Sequence, residues 1–390
     1  MRPQDVWSSR FEVPASGNGT LDGLRVAVKD LFDVAGHPTL AGRKALLNTA
    51  PAASNAAAVQ CLLDAGASLV GHTTMSQLAF SGVGQNPDFG RSISPWSPDA
   101  DGRLAGGSSR GSALAVALGE ADIGLGTDTG GSCRIPAACN GLYGFKPTAS
   151  RVSLQGCTPL SHSLDSVGLM AASCDIGRRA MDVLCSSQPA ERPATLEFLV
   201  PGFVLDRCDR TVADAFRWAL DRLAAAGHCV RHMTLASEKT YAHLQSMPSL
   251  ASLEAYGLYG DRRHNGVSDP KVFKRIMVGR YPGSDTVRKI RNDLVGQFSA
   301  EVGDAFVLMP TLPWVPPLTE VAESDRYFEE INRDALRNCA FINLAGGCAV
   351  AMPLSMQVPV SMTVAAPRMQ DERLWAVADY LDRIFSQSDA

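Results

Sequence analysis

Two short stretches decide how this chain is read: Gly106-Gly107-Ser108-Ser109-Arg110-Gly111-Ser112 and Gly126-Thr127-Asp128-Thr129-Gly130-Gly131-Ser132. Ser132 lies 24 residues beyond Ser108, and Val28-Lys29-Asp30 stands far upstream. Serine is a weak nucleophile until a neighbouring base takes its proton, and glycine runs let backbone N–H groups turn toward developing negative charge. The stretches therefore supply two serines, a candidate base and a candidate oxyanion hole. Around them Leu24 to Val28 reads as a short buried strand ending at Lys29, and Ala56 to Ala65 as a helix capped by Ser54 or Asn55 and stopped by Gly66. Ser68 to Val70 resumes as a strand, Ser112 to Leu118 as a helix, and Ile123 to Leu125 as a strand entering the second cluster. This alternation predicts an α/β fold, with helices covering a largely parallel sheet.

The residues and their order resemble the amidase signature family of Ser-Ser-Lys hydrolases. The match continues through Arg134-Ile135-Pro136-Ala137-Ala138 and Gly144-Phe145-Lys146-Pro147-Thr148. It covers roughly residues 20–175 strongly and 305–385 weakly. The resemblance implies an α/β/α sandwich with a central mixed, mostly parallel sheet covered by helices on both faces. It implies Lys29 as base, Ser132 as nucleophile and Ser108 as the bridging serine, preceded by a cis Gly107-Ser108 peptide. Backbone N–H groups of Thr129, Gly130, Gly131 and Ser132 would then form the oxyanion hole. A lysine at about 10.4 is too basic for this work unless burial favours its neutral form, and the end of a buried strand offers that setting.

Supporting roles follow for the neighbours. Ser109 and Ser112 are expected to bond local backbone at a helix start, and Asp128 and Arg134 to pair and hold the nucleophile loop. Two residues depart from the family pattern: Arg110 replaces a small residue, and Cys133 follows the nucleophile in place of a hydrophobic or small one. Arg110 is expected either to point outward to a surface acid or to hold a substrate carboxylate through a bidentate pair. Cys133 is expected to stand beside the reaction without taking part in it.

Other readings compete. Gly107-Ser108-Ser109-Arg110-Gly111 also satisfies the G-x-S-x-G elbow of α/β-hydrolases, with Ser109 as nucleophile of an esterase, but the polar Asp99-Ala100-Asp101-Gly102-Arg103 replaces the apolar strand that motif needs. Neither cluster is a phosphate loop, because no Gly-Lys-Ser/Thr follows. The amidase subunit of a tRNA-dependent amidotransferase shares these motifs and remains the alternative within the family.

Composition narrows the rest. With 45% hydrophobic residues the chain can bury a large core, and a net charge of −4 gives no broad basic surface for nucleic acid. The basic residues from Arg262 to Arg291 read as solvated helix faces. No apolar stretch is long enough to span a membrane, and Met1 to Asp5 has no apolar signal core, so a cytoplasmic location is expected. The ten cysteines show no C-x-x-C pair and are expected to be reduced, and the seven histidines sit in no recognisable motif. No cofactor or metal is expected. The expected partner is a small-molecule amide, with a homodimer left open.

One domain is expected over 1–390: a signature core at 20–175, a variable substrate-side helical region at 187–303, and a closing part of the core at 305–385. Within the last, Leu308 to Pro317 reads as a strand running into a proline-rich loop, and Asn338 to Pro353 and Pro359 to Ala365 as closing strands. The activity expected is hydrolysis of a small carboxylic amide through an acyl-enzyme. Aryl-acetamides, dicarboxylic half-amides and urea-like amides all remain open as substrates.

Overall fold

The computed structural model describes residues 5–97, 102–188, 190–260, 266–354 and 358–386. Among these, eleven strands form one sheet: β1 (Trp7–Val13), β2 (Arg25–Lys29), β3 (Ser68–Thr73), β4 (Ile123–Thr127), β5 (Tyr143–Lys146), β6 (Val167–Ala171), β7 (Glu197–Pro201), β8 (Cys229–Met233), β9 (Phe306–Pro310), β10 (Cys348–Pro353) and β11 (Ser361–Ala366). Their order across the sheet is β1-β3-β2-β4-β6-β5-β10-β11-β9-β7-β8. The sheet is mixed, as expected, but the expectation that most of it is parallel is corrected. Only β3–β2, β2–β4, β9–β7 and β7–β8 pair in parallel, and the other six neighbours are antiparallel. The strand–helix–strand rhythm that suggested parallel pairing holds through β2, β3 and β4. It fails where β5 reaches β6, and β10 reaches β11, without a crossover helix.

Asn338 to Leu344, expected to open a closing strand, instead finishes the helix Phe328–Leu344, and only Cys348–Pro353 is extended. An apolar run of that length does not tell helix from strand by periodicity. The 187–303 stretch adds β7 and β8 to one edge of the sheet and carries the helices Arg210–Ala225, Ala236–Gln245, Leu250–Tyr259, Pro270–Val278 and Ser284–Val302. Residues 99–101 and Arg262 and Arg263 lie outside the described residues. Arg275, expected on a solvated helix face, is instead largely buried: its side chain is 13% exposed and its Nη1 donates to the Phe80 carbonyl at 2.6 Å.

What positions the site is the two-faced character of β4 and β6. Alternate residues of a strand point to opposite faces. Ile123 and Leu125 of β4, with Val167 and Leu169 of β6, join the main hydrophobic core. The other face carries glycine. A Cβ on Gly126 would stand 2.7 Å from Ser109 Oγ and 3.0 Å from Cys133 Sγ, and one on Gly168 would stand 3.0 Å from the same sulfur. These two bare positions let both serine loops lie directly on the sheet, and Cys133 fills the shallow space between them, packed with Ala113, Ala137 and Met170. The substitution of cysteine at this position is thus a packing choice.

On the core side, the C-terminal helix Asp371–Ser386 is fastened to the end of β5. Asp371 accepts the Thr148 N–H and hydroxyl, both at 2.7 Å. Trp375, 1% exposed, meets Phe145 edge-on with ring centroids 5.5 Å apart. Trp375→Ala is therefore expected to cost about 3–5 kcal/mol, read as a lower urea midpoint with unchanged slope. A loss under about 1 kcal/mol would show that this helix does not brace the sheet.

Candidate active site

Lys29 ends β2 with no exposed surface. Its ammonium donates to Ser108 Oγ at 2.8 Å and to Thr127 Oγ1 at 2.9 Å. Thr127 ends β4, the parallel neighbour of β2, and Ser108 follows a cis Gly107–Ser108 peptide as the resemblance implied. Burial pushes the lysine pKa down to about 8. The negative charges of Asp165 and Asp128 offset part of that shift.

The second cluster is held by the Asp128 carboxylate. It accepts the N–H groups of Gly131 (2.9 Å), Cys133 (3.2 Å) and Arg134 (3.3 Å), and the Arg134 guanidinium at 3.1 and 2.9 Å. Both side chains are fully buried. Burial alone would raise the Asp128 pKa, but the Arg134 charge and hydrogen bonds, with Lys146 and Asn343, hold it well below the usual carboxylate range. Asn343, at the end of Phe328–Leu344, donates to both the Asp128 carbonyl and its carboxylate, and accepts from Arg134. Gly131 adopts φ 130°, and a Cβ there would lie 2.6 Å from Cys339 Cβ, so the turn requires glycine.

The flanking residues brace these loops. Ser109 N–H donates to the Ser132 carbonyl at 3.3 Å, tying the two loops together. The expectation that Ser109 and Ser112 bond local backbone at the helix start is corrected, because both hydroxyls reach β4: Ser109 Oγ donates to Thr127 O at 3.5 Å and Ser112 Oγ to Leu125 O at 3.0 Å. Both expectations for Arg110 are corrected. It is 1% exposed, so it does not face solvent, and it does not line the cavity described below. Its guanidinium donates to the carbonyls of Gly84 and Gly90 at 2.9 Å and of Phe89 at 2.7 Å. Burial also raises the Cys133 thiol above its usual range.

Ser132, Thr129 and Gly130 line a cavity of about 480 Å³ whose other walls come largely from the helices between 236 and 302 and from Phe328–Leu344. The expected place of Gly131 in the oxyanion hole is corrected: its N–H is taken by the Asp128 carboxylate and it does not line the cavity, and Ser109 does not reach it either. Sequence reasoning missed three residues here. Thr127 is the second partner of Lys29. Asn343 clasps the nucleophile loop from a distant helix and leaves no local signal. Asp165 is 5% exposed and accepts from Thr129 Oγ1 at 2.6 Å, Leu160 N–H at 2.8 Å and Ser161 N–H at 3.0 Å. An acid just before the apolar strand β6 was its only trace in the sequence. Among the described residues no cluster of three His, Cys, Asp or Glu could hold a metal ion, and no helix is long and apolar enough to cross a membrane.

Comparison with known proteins places the chain in a family. The family model described as Amidase matches residues 7–375. A 2-amino-5-chloromuconic acid deaminase from Comamonas testosteroni is 32% identical, covering 95% of this chain and 84% of that protein. One component of the glutamyl-tRNA(Gln) amidotransferase from Natronomonas pharaonis is 30% identical, covering 93% of this chain and 96% of that one. A crystal structure of an amidase superposes with a TM-score of 0.83 at 32% identity, covering 94% and 86% of the two chains. A buried lysine hydrogen-bonded to a serine, a serine loop clasped by an internal ion pair, and a match along almost the whole chain lead to one conclusion: the protein belongs to the amidase family, enzymes that act on C–N amide bonds.

Proposed function

We propose that this protein hydrolyses a small amide with an apolar acyl group through Ser132, Ser108 and Lys29. The observation that carries this reading is the buried Lys29, its pKa lowered to about 8 and its ammonium hydrogen-bonded to Ser108, together with a cavity that Ser132 lines. Neutral Lys29 accepts the Ser108 proton while Ser108 takes the proton of Ser132 Oγ. The Ser132 oxygen bonds to the amide carbon, and the N–H groups of Thr129, Gly130 and Ser132 meet the oxyanion, that of Gly131 being held by Asp128. The C–N bond then breaks as the proton returns through Ser108 to the leaving nitrogen, and water repeats the steps to release the acid.

The cavity supports the choice of acyl group. Its walls include Phe80, Leu160, Leu164, Met247, Leu250 and Leu336, and among the described residues no aspartate or glutamate lines it. Of the two arginines on its wall, Arg275 is engaged with the Phe80 carbonyl and Glu329. An amidotransferase role, suggested by relatives such as the Natronomonas protein, would call for glutamine. The α-ammonium group of glutamine would then meet a wall without a carboxylate to receive it.

Ser132→Ala and Lys29→Ala are each expected to lower kcat by at least about 10³-fold, with the double variant little worse than either, because members of one relay are non-additive. Cys133→Ala should stay active; ammonia release from purified, folded variants measures all four. A live Ser132→Ala with a dead Ser109→Ala would transfer the chemistry to Ser109. The sign of the pH dependence follows from the lowered pKa. The neutral form of Lys29 grows as pH rises, so kcat/KM should climb through about 8 and be lost on acidification. A limb that fell across that range would remove Lys29 as the base. Across a panel of amides, 3-phenylpropionamide should exceed glutamine in kcat/KM; the reverse order would favour the amidotransferase role.

A further inference from the structure

Beside the loop that carries Ser132, and sharing the cavity wall with it, runs the segment from Leu160 to Asp165, which the reaction scheme does not use. One end is held by Asp165, whose carboxylate takes the hydroxyl of Thr129 and the N–H groups of Leu160 and Ser161. The other face is held by Glu254 of the helix Leu250–Tyr259. Glu254, 7% exposed, accepts Ser161 Oγ at 2.6 Å, Ser163 Oγ at 2.6 Å and Ser163 N–H at 3.0 Å, and pairs with Arg288 at 3.2 Å. Leu160 and Leu164 of the same segment line the cavity, as do Leu250 and Ser252 of the helix. One short turn thus touches the acyl space, the helical region above it and the first residue of the proposed oxyanion loop.

We propose that this turn is a positioning element, in which Asp165 and Glu254 couple the filling of the acyl cavity to the setting of the Thr129–Ser132 loop. The proposal rests on the amidase reading given above. Two things favour the docked turn: Glu254, and an acyl group packed on Leu160 and Leu164. A large acyl group therefore supplies part of its own catalytic geometry, and binding energy remote from the bond being broken appears in kcat rather than KM. Asp165 is the connection between turn and loop, and its charge also faces Lys29. The groups around these acids are Lys29, Cys157 and Tyr259 about Asp165, and Arg288 and Arg291 about Glu254; Lys29 is faced in addition by Asp128 and Cys133.

The test compares acetamide, which leaves the cavity almost empty, with the larger 3-phenylpropionamide, whose ring can pack on Leu160 and Leu164. In Glu254→Ala, kcat for acetamide should fall about tenfold, while kcat for 3-phenylpropionamide changes little because packing on Leu160 and Leu164 restores the turn. Glu254→Gln, which keeps an acceptor for Ser163, should recover most of the acetamide rate. Asp165→Ala cuts the connection itself and should lower kcat for both amides on the order of 100-fold, with little change in KM. Asp165→Asn can keep every bond, since the Thr129 hydroxyl can accept from its amide. It should retain kcat and move the rising limb of the pH profile to lower pH. Equal losses on both amides in Glu254→Ala, or a larger loss on the larger one, would overturn the coupling. So would an Asp165→Ala enzyme with normal kcat. Ser132→Ala is assayed alongside: if it stays active, the amidase reading fails, whereas an inactive Ser132→Ala with a substrate-blind Glu254→Ala rejects the coupling alone. Cooperative thermal unfolding of each variant shows that it has folded.

Discussion

The site depends on one buried ion pair. Taking Asp128 and Arg134 out of water costs several kcal/mol per ion, and their attraction offsets this only when the remaining donors and acceptors are also satisfied. Around Asp128 the satisfying groups are those of the nucleophile loop: three N–H groups of one turn end on the carboxylate and Asn343 closes it from outside, while Arg134 Nη1 alone of the guanidinium nitrogens has no hydrogen bond among the described residues. The loop therefore has one conformation in which the charges are tolerable, and that conformation directs Ser132 to the cavity. The pair is better understood as selecting a shape than as adding stability, since a well-packed apolar replacement often does the latter equally well.

Two buried lysines show why burial alone does not make a base. Lys29 and Lys146 are both almost without exposed surface, and burial lowers both to about 8. Lys146 donates to the carbonyls of Pro147 and Gly347, which accept and never donate. A neutral Lys146 would gain nothing from them as an acceptor. The partners of Lys29 are hydroxyls, which can reverse direction and hand it a proton. The chemical difference between the two lysines lies in what surrounds the nitrogen.

How far the letters could be read follows from whether each partner is local. The Lys29–Ser108 contact was legible through the family resemblance and the Asp128–Arg134 pair from one short stretch of letters, as was the α/β class. Arg110 was misread because its partners are backbone carbonyls from 84 to 90, and a carbonyl has no letter. Asn343 and Asp165 escaped because their roles exist only after distant segments meet. Parallel pairing was over-extended for the same reason: β2, β3 and β4 follow the strand–helix rhythm, but β10 finds β5 across about 200 residues of chain. Periodicity speaks for an element and is silent about its neighbour.

The Asn343 clasp also bears on the order in which the molecule is made. Its amide reaches Asp128 across 215 residues. As a nascent chain leaves the ribosome from its N-terminus, the serine loops and the lysine strand emerge long before the residue that completes their hydrogen bonding. Contacts of such sequence separation form late, after much chain entropy has been surrendered. The unfinished polypeptide thus carries Ser132 on a loop whose carboxylate still lacks the Asn343 donor. The clasp on that loop cannot close until most of the chain has been made.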